Sequence, residues 1–148
     1  MLPGSSRPSG LWSVRSFPSV TPPVAVLIVD DDRAGAEALA AVLALKGFRT
    51  EVVDGGSPAC RTTSALIPHI VILDIEMPLC DGFAVAAAMR ESTEFTVVPI
   101  IAYSSLDEAE VIERGKKAQI DAFCRKGNTL NCLFELIEYM TPLGPVGS

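Results

Sequence analysis

Residues 70–82 read Ile70-Val-Ile-Leu-Asp74-Ile-Glu76-Met-Pro-Leu-Cys-Asp81-Gly82. A short β-branched run stops abruptly at a carboxylate, and a turn containing proline and glycine follows. An unbroken apolar run of this length suits a strand buried on both faces, the parallel kind whose sheet is covered by helices on either side. In such an open α/β sheet, ligands lie beyond the carboxyl ends of the strands, so Asp74 stands where chemistry is to be expected. Other runs end in the same way. Val26-Leu-Ile-Val29 leads into Asp30, Asp31 and Asp32, Val98–Tyr103 into Ser104 and Ser105, and Asp121–Cys124 into Arg125 and Lys126.

Outward from these runs, the chain alternates short β-branched stretches with alanine-rich or charged amphipathic ones, the pattern of repeated βα units. Strands are predicted at Val24–Val29, Arg49–Val53, Ile70–Leu73, Val98–Tyr103 and Asp121–Cys124. Five helices are predicted at Arg33–Lys46, Ser57–Ile67, Phe83–Arg90, Asp107–Lys117 and Thr129–Met140. Gly47 and Pro68 punctuate helix ends, and Asp107 with the acids after it suits the positive end of a helix dipole. The expected fold is α/β, a doubly wound five-stranded parallel sheet. One domain is expected over residues 24–140, preceded by a disordered Pro/Ser/Gly-rich arm over 1–23 and followed by a flexible tail over 141–148.

Composition narrows the function. The 148 residues are 49% apolar and carry a net charge of −6. The first 23 residues hold two arginines and no acid, so the remainder carries 10 basic against 18 acidic side chains, a net of −8. An acidic body favours metal ions and cationic protein surfaces over nucleic acid. Apolar runs fall far short of the ~20 residues of a membrane span. The prolines and serines before residue 24 break the continuous apolar core of a secretory signal and oppose the amphipathic helix of a transit peptide. Cys60, Cys80, Cys124 and Cys132 form no CxxC pair, and reduced thiols in a cytoplasmic protein are expected.

Taken together, VLIVDDD, VILDIEMPLCDG, PIIAYSS and AFCRK, in that order, resemble the receiver domain of two-component response regulators, the CheY-like family, over about residues 24–140. Asp74–Gly82 is the most specific part. The resemblance implies a flavodoxin-like strand order of 2-1-3-4-5 and a stand-alone single-domain protein. It implies phosphorylation of Asp74 by a sensor histidine kinase or phosphotransfer protein, and signalling to a downstream protein target rather than catalysis of a separate reaction. It also implies Mg2+ bound directly by Asp31 and Asp74, through water by Asp30, and by the backbone carbonyl of Glu76. Lys126 is implied to meet the phosphoryl group and Ser104 to hydrogen-bond it, with small Ser105 leaving it accessible and Phe123 as the aromatic switch. The residue types agree with this chemistry, because a carboxylate attacks a polyanionic phosphoryl group only where cations gather both partners, and hard Mg2+ prefers oxygen donors.

One departure stands out. The family usually places proline after the lysine in a cis peptide, whereas this chain has Gly127. A cis bond to a non-proline residue costs about 2.5–4 kcal/mol, so a trans turn is expected there.

Plainer readings sit beside these. Asp32 is expected to cap the following helix, and capping could also account for its acidic neighbours. Ser104 could be an ordinary loop hydroxyl and Lys126 a solvated surface side chain. His69, the only histidine, is expected at a loop or strand start, and Met77 and Pro78 are expected to shape a loop. Two rival functions remain: an interaction module of receiver type not controlled by phosphorylation, and a haloacid-dehalogenase-like phosphatase using Asp30 and Asp32. The second is opposed by Ala34, by the short chain and by the unexplained Met-Pro-x-x-Asp-Gly stretch.

Overall fold

The computed structural model of the chain describes residues 7–55, 67–77 and 80–144. In chain order the elements are β1 (Ala25–Val29), α1 (Arg33–Leu45), β2 (Arg49–Val53), β3 (Ile70–Asp74), β4 (Glu76–Met77), β5 (Cys80–Asp81), α2 (Gly82–Glu91), β6 (Ile100–Ser104), α3 (Glu108–Lys117), β7 (Ala122–Arg125) and α4 (Leu130–Met140). Five strands form one parallel sheet in the order β2-β1-β3-β6-β7. Counting only these five, this is the expected 2-1-3-4-5. Every residue of β1 and β3 is buried, as the apolar runs Ala25–Val29 and Ile70–Leu73 require, and Asp74 is buried with them at the end of β3.

Alternation along the strands divides the core in two. Leu27, Val29, Val71, Leu73, Ile100 and Ala102 point to the face covered by α2 and α3. Val26, Ile28, Ile70, Ile72 and Ile101 point to the face covered by α1 and α4. Four helices lie among the described residues; positions 57–66 of the predicted second helix lie outside them. The helix starts are local. Asp32 caps α1 by accepting from the Gly35 N–H at 3.3 Å, and Asp81 caps α2 by accepting from Phe83 N–H at 3.0 Å. A two-stranded antiparallel pair, β4 with β5, was not expected and folds the stretch after Asp74 back on itself. Among the described residues no helix is long and apolar enough to cross a membrane. Cys124 and Cys132 are free thiols, and burial raises the pKa of Cys124.

The flanking segments differ from expectation. In the expected disordered arm, residues 10–13 lie along the free edge of β7, with Leu11 bridging Ala122 antiparallel, and Phe17 packs against Tyr139 of α4. In the expected flexible tail, Thr141 is buried and its hydroxyl donates to the Ile137 carbonyl at 2.6 Å, and Leu143 bridges Val20. Composition missed this because the docked segment makes its contacts with the folded body rather than within itself.

Below the sheet, Asp121 and Arg90 form a buried pair at 2.9 Å, with side chains only 4% and 7% exposed. Arg90 also donates to the carbonyls of Phe95, Val98 and Gln119, and Asp121 accepts from Ile100 N–H. The pair thereby ties the loop before β6 to the start of β7. Removing one partner strands a buried charge, so Arg90→Ala is expected to lower unfolding stability by about 3–5 kcal/mol, measured from urea denaturation.

Candidate functional site

The sheet register assembles the site. Val29 stands opposite Leu73, so Asp30 and Asp74 leave adjacent strands side by side. Asp74 in turn pairs with Tyr103, and Ser104 with Arg125, placing Ser104 and Lys126 at the same end of the sheet. Asp31, Asp32, Asp74, Glu76, Ser105 and Lys126 line an open cleft of about 380 Å3.

Asp30 and Asp74 are only 6% and 4% exposed, so their charges need compensation. Lys126 supplies it: its Nζ lies 3.3 Å from Asp30 Oδ2 and 3.3 Å from Asp74 Oδ1. The ammonium also lies over the Tyr103 ring, 5.5 Å from its centroid. Burial opposes the ammonium, but the pull of Asp74 and Asp30 exceeds it, and the Lys126 pKa lies above its ordinary value. Asp74 receives the Glu76 N–H at 3.0 Å. Burial, joined by repulsion from Asp30, outweighs this bond and Lys126, and raises the Asp74 pKa from 3.8 to about 6. Asp30 Oδ1 accepts from Asp32 N–H at 2.9 Å, and Asp31 accepts from Gly55 N–H at 3.0 Å.

Gly127 solves the problem its sequence poses. The one cis peptide among the described residues is Pro22–Pro23, so the Lys126–Gly127 bond is trans. Gly127 takes a φ of +92°, a region that disfavours any side chain, and the turn still returns Lys126 to the carboxylates. Gly82 has a different purpose. A Cβ there would meet the Asp74 carbonyl oxygen at 2.7 Å, so the Asp-Gly step lets α2 start directly against the end of β3.

The sequence places Glu76, two residues beyond Asp74, where it could influence water attack on a phosphoryl group, but it does not disclose the contact its side chain makes with the serines. Its Oε2 accepts from the Ser104 hydroxyl at 3.0 Å, from Ser105 N–H at 2.7 Å and from the Ser105 hydroxyl at 2.7 Å. The Ser105 bonds are the main reason its pKa is lowered. The available signal was its place two residues after Asp74, next to two serines only once β3 and β6 are paired. Ser104 is fully buried and its oxygen also accepts from Leu106 N–H at 3.0 Å.

The other expectations fall outside the cleft. Phe123 lies on the α2/α3 face of the sheet, stacked against Trp12. His69 accepts from Ala25 N–H through Nδ1 at 2.9 Å, at the start of β3, and burial followed by Arg49 lowers its pKa. Met77 is buried, whereas Pro78 lies outside the described residues. No cluster of at least three His, Cys, Asp or Glu residues suited to a metal ion occurs among the described residues.

The strand order and the acidic cleft beyond its carboxyl ends define a flavodoxin-like α/β domain with its site at the turn of the sheet. The chain belongs to the response regulator receiver domain family, which it matches over residues 26–138. It is 32% identical over 104 residues to response regulator MprA of Mycolicibacterium vanbaalenii, a match covering 70% of this chain and 44% of that one. The chain thus spans less than half the length of that relative. Among solved structures it is similar to a putative response regulator from Chloroflexus aurantiacus, with a TM-score of 0.73 and 24% identity over 80% of this chain and 98% of that one. It is also similar to the receiver domain of a Pseudomonas aeruginosa sensor histidine kinase, with a magnesium ion in its active site cleft. There the TM-score is 0.69 and the identity 22%, over 79% of this chain and 97% of that one. These two likenesses show the fold.

The Asp74 shift has a stability consequence. With a folded pKa near 6 against 3.8, the native state binds more protons than the unfolded chain between those values. The contribution is therefore fully present below the unfolded pKa and is lost as pH rises through about 6. Urea midpoints measured in EDTA are expected to fall across that window, and the slope is expected to flatten in Asp74→Asn.

Proposed function

We propose that the chain is a phosphoacceptor switch in which Asp74 takes a phosphoryl group from a histidine kinase or phosphotransfer protein. The observation that carries this reading is the buried Asp74 carboxylate facing the cleft with the Lys126 ammonium 3.3 Å away. An Asp74 oxygen forms the new bond to phosphorus while the bond from phosphorus to the donor's imidazole nitrogen breaks, and the imidazole leaves with its electron pair and takes up a proton. Desolvation makes Asp74 more basic than a surface aspartate, and at neutral pH it remains largely ionised. Lys126 balances negative charge that gathers on the phosphoryl oxygens.

The chemistry of the donors suits a hard divalent cation such as Mg2+, which would have to draw them closer together than they stand here. The ammonium of Lys126 faces a surplus of carboxylates from Asp30, Asp31, Asp32, Asp74 and Glu76, and all the donors are oxygen. Asp31, Asp74 and the Glu76 carbonyl would hold the ion directly, and Asp30 would do so through water. When bound, such an ion lowers the repulsion between acceptor and incoming phosphoryl group.

Phosphorylation then becomes a change of shape by exchange of partners. In the unphosphorylated protein Ser104 and Ser105 donate to Glu76. A phosphoryl group on Asp74 offers stronger acceptors for the same hydroxyls and repels the Glu76 carboxylate, so the loop after β6 gains a second favourable arrangement. The phosphatase alternative is weakened because Asp32, its required general acid, is engaged as the α1 cap. The alternative without phosphorylation drew on Gly127, and the trans turn that delivers Lys126 to the cleft removes that support.

Incubation with Mg2+ and acetyl phosphate, or with a cognate kinase, is expected to add an acid-labile phosphoryl group by intact mass, and Asp74→Asn is expected to abolish it. An adduct that persists in Asp74→Ala, or no adduct with any donor, sinks the proposal. Glu76→Ala frees both serines, so its affinity for beryllofluoride with Mg2+ is expected to rise by about 3–10-fold, measured by titration calorimetry.

A further inference from the structure

The segment before β1 covers the end of the molecule that Phe123 occupies. The N–H groups of Trp12 and Ser13 donate to the Asp121 carbonyl at 2.8 and 3.0 Å, and the Phe123 N–H donates to Gly10 at 2.8 Å. The segment thus pairs with the otherwise open edge of β7 through one antiparallel bridge, Leu11 with Ala122. The Trp12 ring stacks on Phe123 with centroids 6.1 Å apart and planes 11° from parallel, and its indole N–H donates to Glu108 on α3 at 2.7 Å. Arg15 reaches Asp121 at 2.9 Å, and Phe17 packs edge-on against Tyr139 of α4.

Both sides are shaped for this contact. Gly115 lies within α3, where glycine is a poor helix former, and a Cβ there would run into the Trp12 ring. Gly10 approaches β7 so closely that a side chain would collide with the Phe123 carbonyl. Charge also matches, since the segment brings basic Arg15 to an acidic body.

A physical path joins this surface to the cleft. The Ser104 oxygen accepts the Leu106 N–H at 3.0 Å. Leu106 and Trp12 both pack against the core cluster that contains Phe123. A Ser104 hydroxyl drawn to a phosphoryl group on Asp74 would move the loop that carries Leu106, which packs against the same core cluster as Trp12.

We propose that the β7 edge, with the hollow between Phe123 and Gly115, is a docking surface for an extended segment, occupied before phosphorylation by residues 10–20 of the same chain and loosened by phosphorylation of Asp74. This rests on the acceptor role of Asp74. The covered edge then becomes open to a protein target only when the segment leaves. By linkage, undocking also favours the phosphorylated state.

Trp12 is the only tryptophan, so its fluorescence reports the segment alone. Acrylamide quenching is measured on the full chain with Mg2+, before and after acetyl phosphate, with intact mass on the same samples. Quenching is expected to rise by at least about twofold on phosphorylation, and to stay constant in Asp74→Asn. Gly115→Ala is expected to raise quenching without any phosphodonor, and because alanine is the better helix former this separates undocking from unfolding. Equal, free-indole-like quenching in the unphosphorylated parent and Gly115→Ala overturns the docking. A phosphoryl adduct with unchanged quenching overturns the coupling while the acceptor role stands. Absence of an adduct overturns the acceptor role and the coupling together, with the docking still judged by Gly115→Ala.

Discussion

Two buried carboxylates, Asp30 and Asp74, meet one ammonium, Lys126, at the carboxyl end of the sheet. Charges this deeply placed are tolerable only when paired, yet the pairing here is incomplete: a single positive group serves two acids, with Asp31, Asp32 and Glu76 nearby. The surplus is held by the fold around it. Backbone N–H groups of Asp32 and Glu76 are turned toward the acids, and Gly127 allows the turn that returns the lysine. The rest of the molecule positions strands so that these groups meet, and the excess negative charge is what the proposed acceptor role draws on.

In the proposed switch, Glu76 defines the unphosphorylated arrangement. It occupies the serine hydroxyls with a carboxylate of the chain itself, so the loop after β6 is held rather than free. A competing anion on Asp74 has to displace an existing acceptor, and a ligand shifts an equilibrium only by its differential affinity for the two states. On the proposed reading, the strength of the Glu76 contacts governs how far a phosphoryl group on Asp74 would shift the loop.

The opposite end of the sheet is tied by a buried ion pair and its hydrogen bonds. Arg90 is nearly saturated by carbonyls and Asp121, and Asp121 also accepts Arg15 from the segment before β1. The segment is thus anchored at a fixed point by Arg15 and rests on Phe123 through Trp12. One contact belongs to the frame and the other to the side of the core that faces the changing loop.

Much of this was legible in the residues themselves. Strand and helix limits followed from short-range periodicity and from caps such as Asp32, because those signals are local. Asp30, Asp31, Asp74, Ser104 and Lys126 were legible as strand-end residues, since a parallel sheet collects its strand ends on one side. Register, by contrast, decided that Glu76 would lie beside Ser104 and Ser105, and the path of the backbone decided that Gly127 could replace proline. The contacts of residues 10–20, within the arm expected at 1–23, were not legible for a related reason. The arm's composition forbids a core of its own, whereas its order comes from β7, Phe123 and Asp121, partners about a hundred residues away that only the tertiary fold brings within reach.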